Sequence, residues 1–163
     1  MRIRNQKIEE FLIELSSKKP TPGGGAVAAL SGAMAASLVE MVCNLTKGEE
    51  FNNFGTLGLA RALKTRLLEL ADKDSEAFDL VMEAYKSKDE LKIKSALQKA
   101  IDIPAETKRL AHLVWELAGI AVEKGNKNAV SDARTARHLA EAAEKSADEN
   151  IKINKEALGK LHG

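Results

Sequence analysis

The chain has 163 residues, a length that predicts a single domain. Its 25 Lys and Arg residues nearly balance its 24 Asp and Glu residues, and the net charge of +1 points to neither a nucleic-acid partner nor an acidic tail. The single cysteine, Cys43, excludes an intramolecular disulfide, and no spacing of Cys and His predicts a structural zinc site. These features favour a reduced, cytoplasmic protein.

Composition indicates the fold class. Hydrophobic residues make up 44% of the chain and aromatic residues only 4%, which is typical of a globular protein with an aliphatic core. Alanine and leucine, with 25 and 20 copies, stand at the top of the helix propensity scale. No stretch alternates between apolar and polar residues as a strand does. The sequence therefore predicts an all-α, single-domain bundle of five or six helices.

The boundaries of the predicted helices follow from the prolines, glycines and polar loops that interrupt the helical spacing of apolar residues. In chain order the predicted helices cover about residues 5–17, 24–46, 56–86, 87–102, 104–125 and 128–161. Pro104 suits the first turn of the fifth helix, since its missing N–H is not needed there. Gly125 is expected to end that helix in a left-handed conformation.

Residues 26–45 form the one stretch that resembles a membrane span. They include Glu40 and Asn44, and nearly half of them are Ala, Gly or Ser, whereas a lipid-facing helix would be bulkier and would avoid a carboxylate. We therefore expect a buried helix that neighbouring backbones approach closely. The polar start of the chain predicts no signal peptide, and we expect no membrane partner.

The third predicted helix carries a carboxylate on its apolar face. At about 100° per residue, Asp74 falls in the middle of an apolar stripe, whereas Asp72 lies roughly 160° away on the opposite side. The stripe is formed by Leu59, Leu63, Leu67, Leu70, Ala77, Phe78 and Val81. A carboxylate on a buried face lowers the stability of the fold unless it is paired or protonated. It is therefore either half of a buried polar contact or a general acid/base with a raised pKa, and the pattern favours neither.

Three consecutive glycines, Gly23, Gly24 and Gly25, open the second predicted helix. A helix and a linker with two prolines precede them, so their formal match to a dinucleotide-binding fingerprint lacks the necessary strand. Bare amides at a helix N-terminus bind anions or ligand carbonyls. A tight turn that needs positive φ is the alternative. Because three glycines exceed what most turns need, the pattern favours close approach of a ligand.

Two other acidic residues lie on faces of small residues. Asp132 is at the edge of an alanine face in the last helix, where Ser131 or Asp132 is expected to complement the helix N-terminus. Glu40 lies on the small-residue face of the second helix, where a buried polar contact is as well supported as a ligand contact. The three histidines lack metal-binding spacing, so we expect no metal.

Four motifs occur in one order and spacing. They are Pro20–Gly25, Asn44–Thr46, Asp72–Phe78, and Gly125–Asn126 with Ser131–Asp132. Together they resemble the formiminotetrahydrofolate cyclodeaminase / methenyltetrahydrofolate cyclohydrolase family from about residue 7 to residue 145. The resemblance implies an all-helical homodimer with a folate cleft near the subunit interface. It implies a catalytic role for Asp74, the second aspartate of the motif Asp-x-Asp-x-x-Ala-Phe.

The resemblance also implies a set of substrate-binding residues. Backbone groups of the two glycine-containing turns are expected to hold the amide edge of a pterin, and Ser131 or Asp132 to contact its amino group. The implied residues are Pro22, Gly23, Gly24, Gly25, Gly125, Asn126, Ser131 and Asp132. Where the family usually has serine after the glycines, this chain has Ala26 and lacks a hydroxyl that caps the helix or touches ligand.

The leading interpretation is an enzyme that acts on a one-carbon-substituted tetrahydrofolate, with no cofactor beyond that substrate. In a cyclodeaminase, N10 attacks the formimino carbon and ammonia leaves; in a cyclohydrolase, water attacks the methenyl carbon and the ring opens to the 10-formyl compound. Asp74 is the general acid/base in both. A methanopterin in place of folate stays open. The alternatives are a non-catalytic helical dimer that binds folate or a protein partner, and a purely structural bundle.

Overall fold

The computed structural model describes residues 2–47 and 53–161, and all regular structure within these ranges is helical. Two short 3₁₀ turns, Ile3–Asn5 and Lys127–Ala129, precede the first and the last α-helix. The α-helices are α1 (Ile8–Leu15), α2 (Gly24–Leu45), α3 (Asn53–Ser87), α4 (Glu90–Lys124) and α5 (Val130–Gly159). The prediction of an all-α fold is confirmed.

Helices α2 to α5 form a bundle in which successive helices are antiparallel. The start of α2 lies beside Asp74, late in α3, and Glu40 near the end of α2 binds Arg61, early in α3. In the same way, Ala100 and Lys108 of α4 contact Asn154 and Asp148 of α5, so the earlier α4 residue meets the later α5 residue. Because α2 begins beside Asp74, 13 residues before the end of α3 at Ser87, α3 extends beyond the start of α2 by roughly 20 Å.

Small residues allow the helices to pack closely at the centre of the bundle. A Cβ at Gly32 of α2 would lie 3.2 Å from Leu67 of α3 and 3.7 Å from Ala143 of α5, so a larger residue would push α2 outward. Among the described residues α2 is the one helix long and apolar enough to cross a membrane, and 56% of its most apolar window is buried in the bundle. The expectation of a buried helix with close neighbours is confirmed. The buried residues of α5 are nearly all small: Ala133, Ala136, Ala140, Ala143 and Ala147, with Ile151 the one larger side chain in this buried set.

Helix α4 continues unbroken through Pro104, so the prediction of two helices meeting there was wrong. Proline has no N–H, and the carbonyl of Ala100 therefore lacks its usual donor within the helix. Asn154 of α5 supplies the missing donor, since its Nδ2 lies 2.6 Å from the Ala100 oxygen. A hydrogen bond from a neighbouring helix thus takes the place of one that α4 cannot make.

The turn between α4 and α5 also differs from the expectation. Gly125 has φ −77° and ψ 178°, so the predicted left-handed conformation is wrong. Glycine is required for a different reason, because a Cβ at this position would lie 2.7 Å from Cγ1 of Val42 and closer still to the Ala121 carbonyl. The turn therefore packs directly on the last part of α2.

Candidate active site at the start of helix α2

The carboxylate of Asp74 lies against the first turn of α2. A Cβ at Gly25 would lie 2.7 Å from Oδ2 of Asp74 and closer still to Oδ1, so any side chain there would overlap the carboxylate. Gly23 has φ −137°, and neither Gly24 nor Gly25 has a positive φ, so the turn interpretation of the glycines was wrong. Gly25 serves a close approach, and the approaching group is the Asp74 side chain.

The surroundings of Asp74 favour its neutral form. Burial raises its pKa from 3.8 to about 6, while a hydrogen bond from the Ala26 amide opposes the shift. No Lys, Arg or His within the described ranges forms an ion pair with Asp74. A carboxyl group that is partly protonated near neutral pH can both take up and release a proton, which is the property a general acid/base needs.

The first turn of α2 presents two free backbone donors beside this carboxyl group. Gly23 occupies the N-cap position and has no side chain with which to cap the helix. The Ala26 amide binds Asp74, and the Val27 amide donates to the Gly23 carbonyl at 3.1 Å. The N–H groups of Gly24 and Gly25 have no acceptor within the described chain, as is usual for uncapped first turns. Pro22, which is buried after a cis peptide bond, leads into this turn.

The other predicted binding residues lie at the far end of α2. Gly125 packs on Val42, which is 17 residues or about 26 Å along α2 from Gly25. The Asn126 side chain donates to the Leu45 carbonyl at 2.7 Å and accepts from the amide of Asn128 at 2.9 Å, which fixes the turn to the end of α2. One copy of the chain therefore does not bring this turn to Asp74.

Ser131 and Asp132 begin α5 beside that turn. Ser131 is exposed and Asp132 is half-buried in the first turn of the helix. Neither serves as the N-cap, because that position belongs to Ala129, which makes no side-chain capping bond. Asp132 still complements the helix dipole as a first-turn acid. The predicted site residues thus form two groups, one around Asp74 and one around the turn between α4 and α5.

Asp72 was predicted on the side of α3 opposite Asp74, and the structure shows that this side too is covered. Asp72 is only 5% exposed, and its Oδ2 lies 2.5 Å from Nε of Arg4, while its Oδ1 accepts from the Arg4 amide at 3.3 Å. The 3₁₀ turn Ile3–Asn5 covers this side of α3, and Ile3 is buried in the main core. Asp72, not Asp74, is therefore the carboxylate in a buried ion pair.

Glu40 makes a polar contact within the chain. Its two carboxylate oxygens bind Arg61 at 2.7 Å and Lys64 at 2.6 Å, and these cations lower its pKa. The polar-contact interpretation is confirmed, and Glu40 has no part in the candidate site. No group of three or more His, Cys, Asp or Glu side chains across residues 2–47 and 53–161 is arranged to hold a metal ion.

Sequence reasoning missed one residue near this site. Asn150 of α5 lies beside Gly24, and a Cβ built on that glycine would be 3.8 Å from Nδ2 of Asn150. No local pattern marks Asn150, since it is one polar residue on a largely polar helix face.

The fold and this site define an all-helical protein with a partly buried carboxyl group against the glycine-rich start of a helix. The model of the formiminotransferase-cyclodeaminase family matches residues 7–159, and the chain belongs to this family. The match spans nearly the whole chain and includes both groups of predicted site residues. The resemblance drawn from the four sequence motifs is thereby confirmed.

Individual relatives are similar along most of the chain. Methenyltetrahydrofolate cyclohydrolase of Methylorubrum extorquens is 43% identical over 169 residues, which cover 94% of this chain and 81% of that protein. The crystal structure of formiminotetrahydrofolate cyclodeaminase from Thermotoga maritima matches with a TM-score of 0.89 at 34% identity, covering 95% of this chain and 81% of that one. Formimidoyltransferase-cyclodeaminase of Mus musculus is 26% identical over 88% of this chain, which spans 29% of the mouse protein.

Proposed function

We propose that the protein hydrolyses 5,10-methenyltetrahydrofolate to the 10-formyl compound, with Asp74 as general acid/base. The observation that carries this proposal is the setting of Asp74, a carboxyl group with a pKa of about 6 and no cationic partner in the described chain, beside two free backbone donors. The 43% identity to a methenyltetrahydrofolate cyclohydrolase supports the hydrolytic reaction.

In the proposed reaction Asp74 first accepts a proton and later donates the same proton. Its carboxylate takes a proton from the water that attacks the methenyl carbon, which forms a C–O bond and a neutral tetrahedral intermediate. Asp74 then returns that proton to N5 as the bond between the carbon and N5 breaks, and the hydroxyl proton of the intermediate leaves to solvent. The products are 10-formyltetrahydrofolate and one proton. A pKa near the working pH suits both transfers, because each form of the carboxyl group is then well populated.

The charge of the substrate fits this site. The methenyl group is a cation shared between two nitrogens, and the ionised Asp74 carboxylate stabilises it through Coulomb attraction in a partly buried setting. Above pH 6 the carboxylate is the main form, so the binding-competent and base-competent states coincide. The hydrolytic rate is therefore expected to rise with pH through about 6 and then level off.

Cyclodeamination is the second candidate, and the 34% identity to a solved cyclodeaminase favours it specifically. In that reaction N10 attacks the formimino carbon, the N10 proton passes to the formimino nitrogen, and the ring closes. The leaving nitrogen departs as ammonia only when it is protonated, and the acid form of Asp74 supplies that proton. The same carboxyl group thus serves either reaction, and the substrate decides between them.

We further propose that the enzyme is a homodimer that joins along α2. Although α2 lies in the bundle, one stripe of it stays exposed, with Met34 52%, Met41 36% and Leu45 48% accessible. The half-buried Leu30 and Leu38 continue the same stripe. A continuous apolar stripe of this length is typical of a subunit interface.

An antiparallel pairing of two α2 helices would also complete the site. In such a pairing about a two-fold axis, the start of α2 in one subunit lies beside the end of α2 in the other. The turn that carries Asn126, together with Ser131 and Asp132, would then approach Asp74 across the interface. Within one chain, roughly 26 Å separates the predicted binding residues around Asp74 from those at the turn between α4 and α5. In the proposed dimer, both groups of residues would belong to the same site.

The experiment that tests the proposal compares two substrates at several enzyme concentrations. Hydrolysis of 5,10-methenyltetrahydrofolate is monitored as the loss of its absorbance. Turnover of the formimino compound is monitored as the release of ammonia. The rate in buffer alone is subtracted from each. Turnover of the methenyl compound supports the proposal, whereas turnover of the formimino compound alone makes the protein a cyclodeaminase. Saturable folate binding without either turnover supports the non-catalytic alternative.

A further inference from the structure

Helices α3 and α5 both continue past the point where α2 begins. Asp74 of α3 lies beside the first turn of α2, and α3 runs on from there to Ser87, about 20 Å further. Asn150 of α5 lies beside Gly24, and α5 runs on to Gly159. Beyond the start of α2, α3 and α5 therefore flank a space that is in line with the α2 axis.

Helix α4 forms the floor of this space. Within the bundle α2 packs on α3, α4 and α5, whereas α3 and α5 make little contact with each other. Past the start of α2, α4 stays beside α5, where Ala100 contacts Asn154, and beside α3, where Leu97 packs with Ala84 in a small core. The space is therefore a groove that continues the position of α2 in the bundle.

The segment that precedes α2 lies on another side of α3. Pro22 lines a separate cavity with Ser75 and Asp79. At 100° per residue, Ser75 and Asp79 are about 100° and 140° around α3 from Asp74. Tyr85, which lines the groove, is only about 20° from Asp74. Asp74 and the groove therefore share one face of α3, and the chain that leads into α2 approaches a different face.

The outer part of the groove is a cavity of about 430 Å³. Its large apolar side chains are accessible, since Tyr85 is 43% exposed and Ile153 is 66% exposed. Its rim carries Glu156 and Lys160, and neither side chain makes an ion pair within the described chain. We call this surface the α3/α5 groove, and its lining residues are Tyr85, Ile153, Glu156, Ala157, Lys160 and Leu161.

The α3/α5 groove has the length and the chemistry to hold one end of a folate. In 5,10-methenyltetrahydrofolate the reacting carbon is bonded to N10, and N10 carries an aminobenzoyl ring that ends in a glutamate. Tyr85 is about 16 Å along α3 from Asp74, and Lys160 is about 15 Å along α5 from Asn150. Helical side chains tilt toward the N-terminus of their helix, so Lys160 extends back toward Asp74. The lysine is therefore within reach of a glutamate carboxylate when the one-carbon group lies at Asp74.

We infer that the α3/α5 groove binds the aminobenzoyl-glutamate end of the substrate, with the ring between Tyr85 and Ile153 and a glutamate carboxylate paired with Lys160. This inference rests on the proposed function. The ring covers apolar side chains that the fold leaves exposed, and the carboxylate pairs with a lysine that has no partner in the described chain. Glu156 on the same rim repels that carboxylate, so the two charged rim residues should have opposite effects on binding.

The test compares KM for 5,10-methenyltetrahydrofolate in wild type and four variants. Lys160→Met is expected to raise KM about tenfold and Ile153→Ser about fivefold, with kcat within about threefold, because each removes a contact far from the reacting carbon. Glu156→Gln is expected to lower KM. Lys155→Met is the matched control, since Lys155 is about 140° around α5 from Lys160, and it should leave KM unchanged. All four positions are exposed, so the melting temperatures should be kept.

A substrate without the glutamate makes the test specific for the carboxylate. Wild type and Lys160→Met are expected to have equal KM values for 5,10-methenyltetrahydropteroate, since neither can form the pair. Unequal values would overturn the assignment of Lys160 to the glutamate.

Four further results would count against the inference. A wild-type KM for the folate in both Lys160→Met and Ile153→Ser would overturn it while leaving the proposed function intact. An equal rise in Lys155→Met would assign the effect to overall charge and overturn it too. A rise in KM that accompanies a change of oligomeric state in light scattering would make the groove a subunit contact instead of a substrate site. No turnover by wild type would overturn the proposed function and this inference with it.

Discussion

Ionisation of Asp74 opposes folding at neutral pH. The carboxyl group has a pKa of 3.8 in the unfolded chain and about 6 in the folded one, so the folded state holds the proton more tightly between these values. Stability therefore falls as pH rises from about 4 to 6 and stays lower above that window. The site keeps a group that costs stability, which is a common feature of catalytic residues.

Asp74→Asn should remove this cost. Asparagine keeps an oxygen for the Ala26 amide but carries no charge, so the variant should be more stable than wild type by about 1–3 kcal/mol at pH 7.5. At pH 4 the difference should shrink to under about 1 kcal/mol, because the folded wild type is then protonated. Denaturant unfolding of both proteins, at both pH values and at equal protein concentration, measures this difference in unfolding free energy. A variant that is less stable at pH 7.5 would mean that Asp74 has a cationic partner.

Gly25 should tolerate no side chain. Gly25→Ala would place a methyl group on the Asp74 carboxylate, so we expect a lower melting temperature and a loss of turnover of roughly 10²-fold through misplacement of the carboxyl group. Gly119→Ala in α4 is the control, since a Cβ there meets nothing within 4 Å. It should keep activity and gain up to about 1 kcal/mol from helix propensity. An active, stable Gly25→Ala would contradict the geometry of this contact.

Helical periodicity was sufficient to identify Asp74, because the apolar stripe that makes a carboxylate unusual at this position is formed by residues of the same helix. Helical periodicity did not predict the burial of Asp72, because the residue that covers it, Arg4, lies 68 residues earlier in the chain. Asn150 was missed for the same reason, since its neighbour Gly24 belongs to a helix far away in sequence. Local patterns show which residues share a helix face, but not which distant segment lies on that face.

At the scale of elements, the N-terminal 3₁₀ turn is held on α3 by the Arg4–Asp72 ion pair, by an amide hydrogen bond to the same carboxylate and by the buried Ile3 side chain. Arg4→Ala would leave the carboxylate of Asp72, only 5% exposed, without its partner. We expect a loss of about 1–3 kcal/mol, below the usual figure for fully buried pairs because the Arg4 side chain is 30% exposed.

Arg2→Ala is the control for this change, since Arg2 is exposed and its replacement should alter stability by less than about 0.5 kcal/mol. The double variant Arg4→Ala with Asp72→Asn should recover part of the loss, because it leaves no uncompensated charge. Equal unfolding free energies for Arg2→Ala and Arg4→Ala would show that the pair contributes nothing.

The ends of the helices were predicted less well than their existence. The α2 prediction of residues 24–46 agrees with Gly24–Leu45 to one residue, because proline and glycine mark its start plainly. The break predicted at Pro104 failed, because the donor that compensates for proline comes from Asn154, 50 residues later. A proline forbids one hydrogen bond within a helix, and a neighbouring helix can supply another.

At the scale of the whole molecule, the exposed α2 stripe predicts a dimer with shared sites. Light scattering should give twice the 17.6 kDa mass of one chain. Asp74→Asn and the double variant Ser131→Ala, Asp132→Asn should each lose activity as pure proteins. When the two are co-expressed, half of the dimers are mixed and each mixed dimer has one intact site, so about a quarter of wild-type activity should return.

Three results would contradict this arrangement. A monomer at micromolar concentration would remove the shared site altogether. Dimers without recovered activity in the mixture would place all the necessary residues in one subunit. A fully active Ser131→Ala, Asp132→Asn variant would exclude the far turn from the site.

The most direct test of the central claim is turnover of 5,10-methenyltetrahydrofolate by Asp74→Asn under saturating substrate. We expect kcat to fall by roughly 10² to 10⁴, the usual contribution of one general acid/base group, while the fold and the affinity for tetrahydrofolate, which carries no methenyl cation, are kept. The variant should also lose the rise of rate with pH near 6. A fully active Asp74→Asn that is less stable than wild type would contradict the catalytic role.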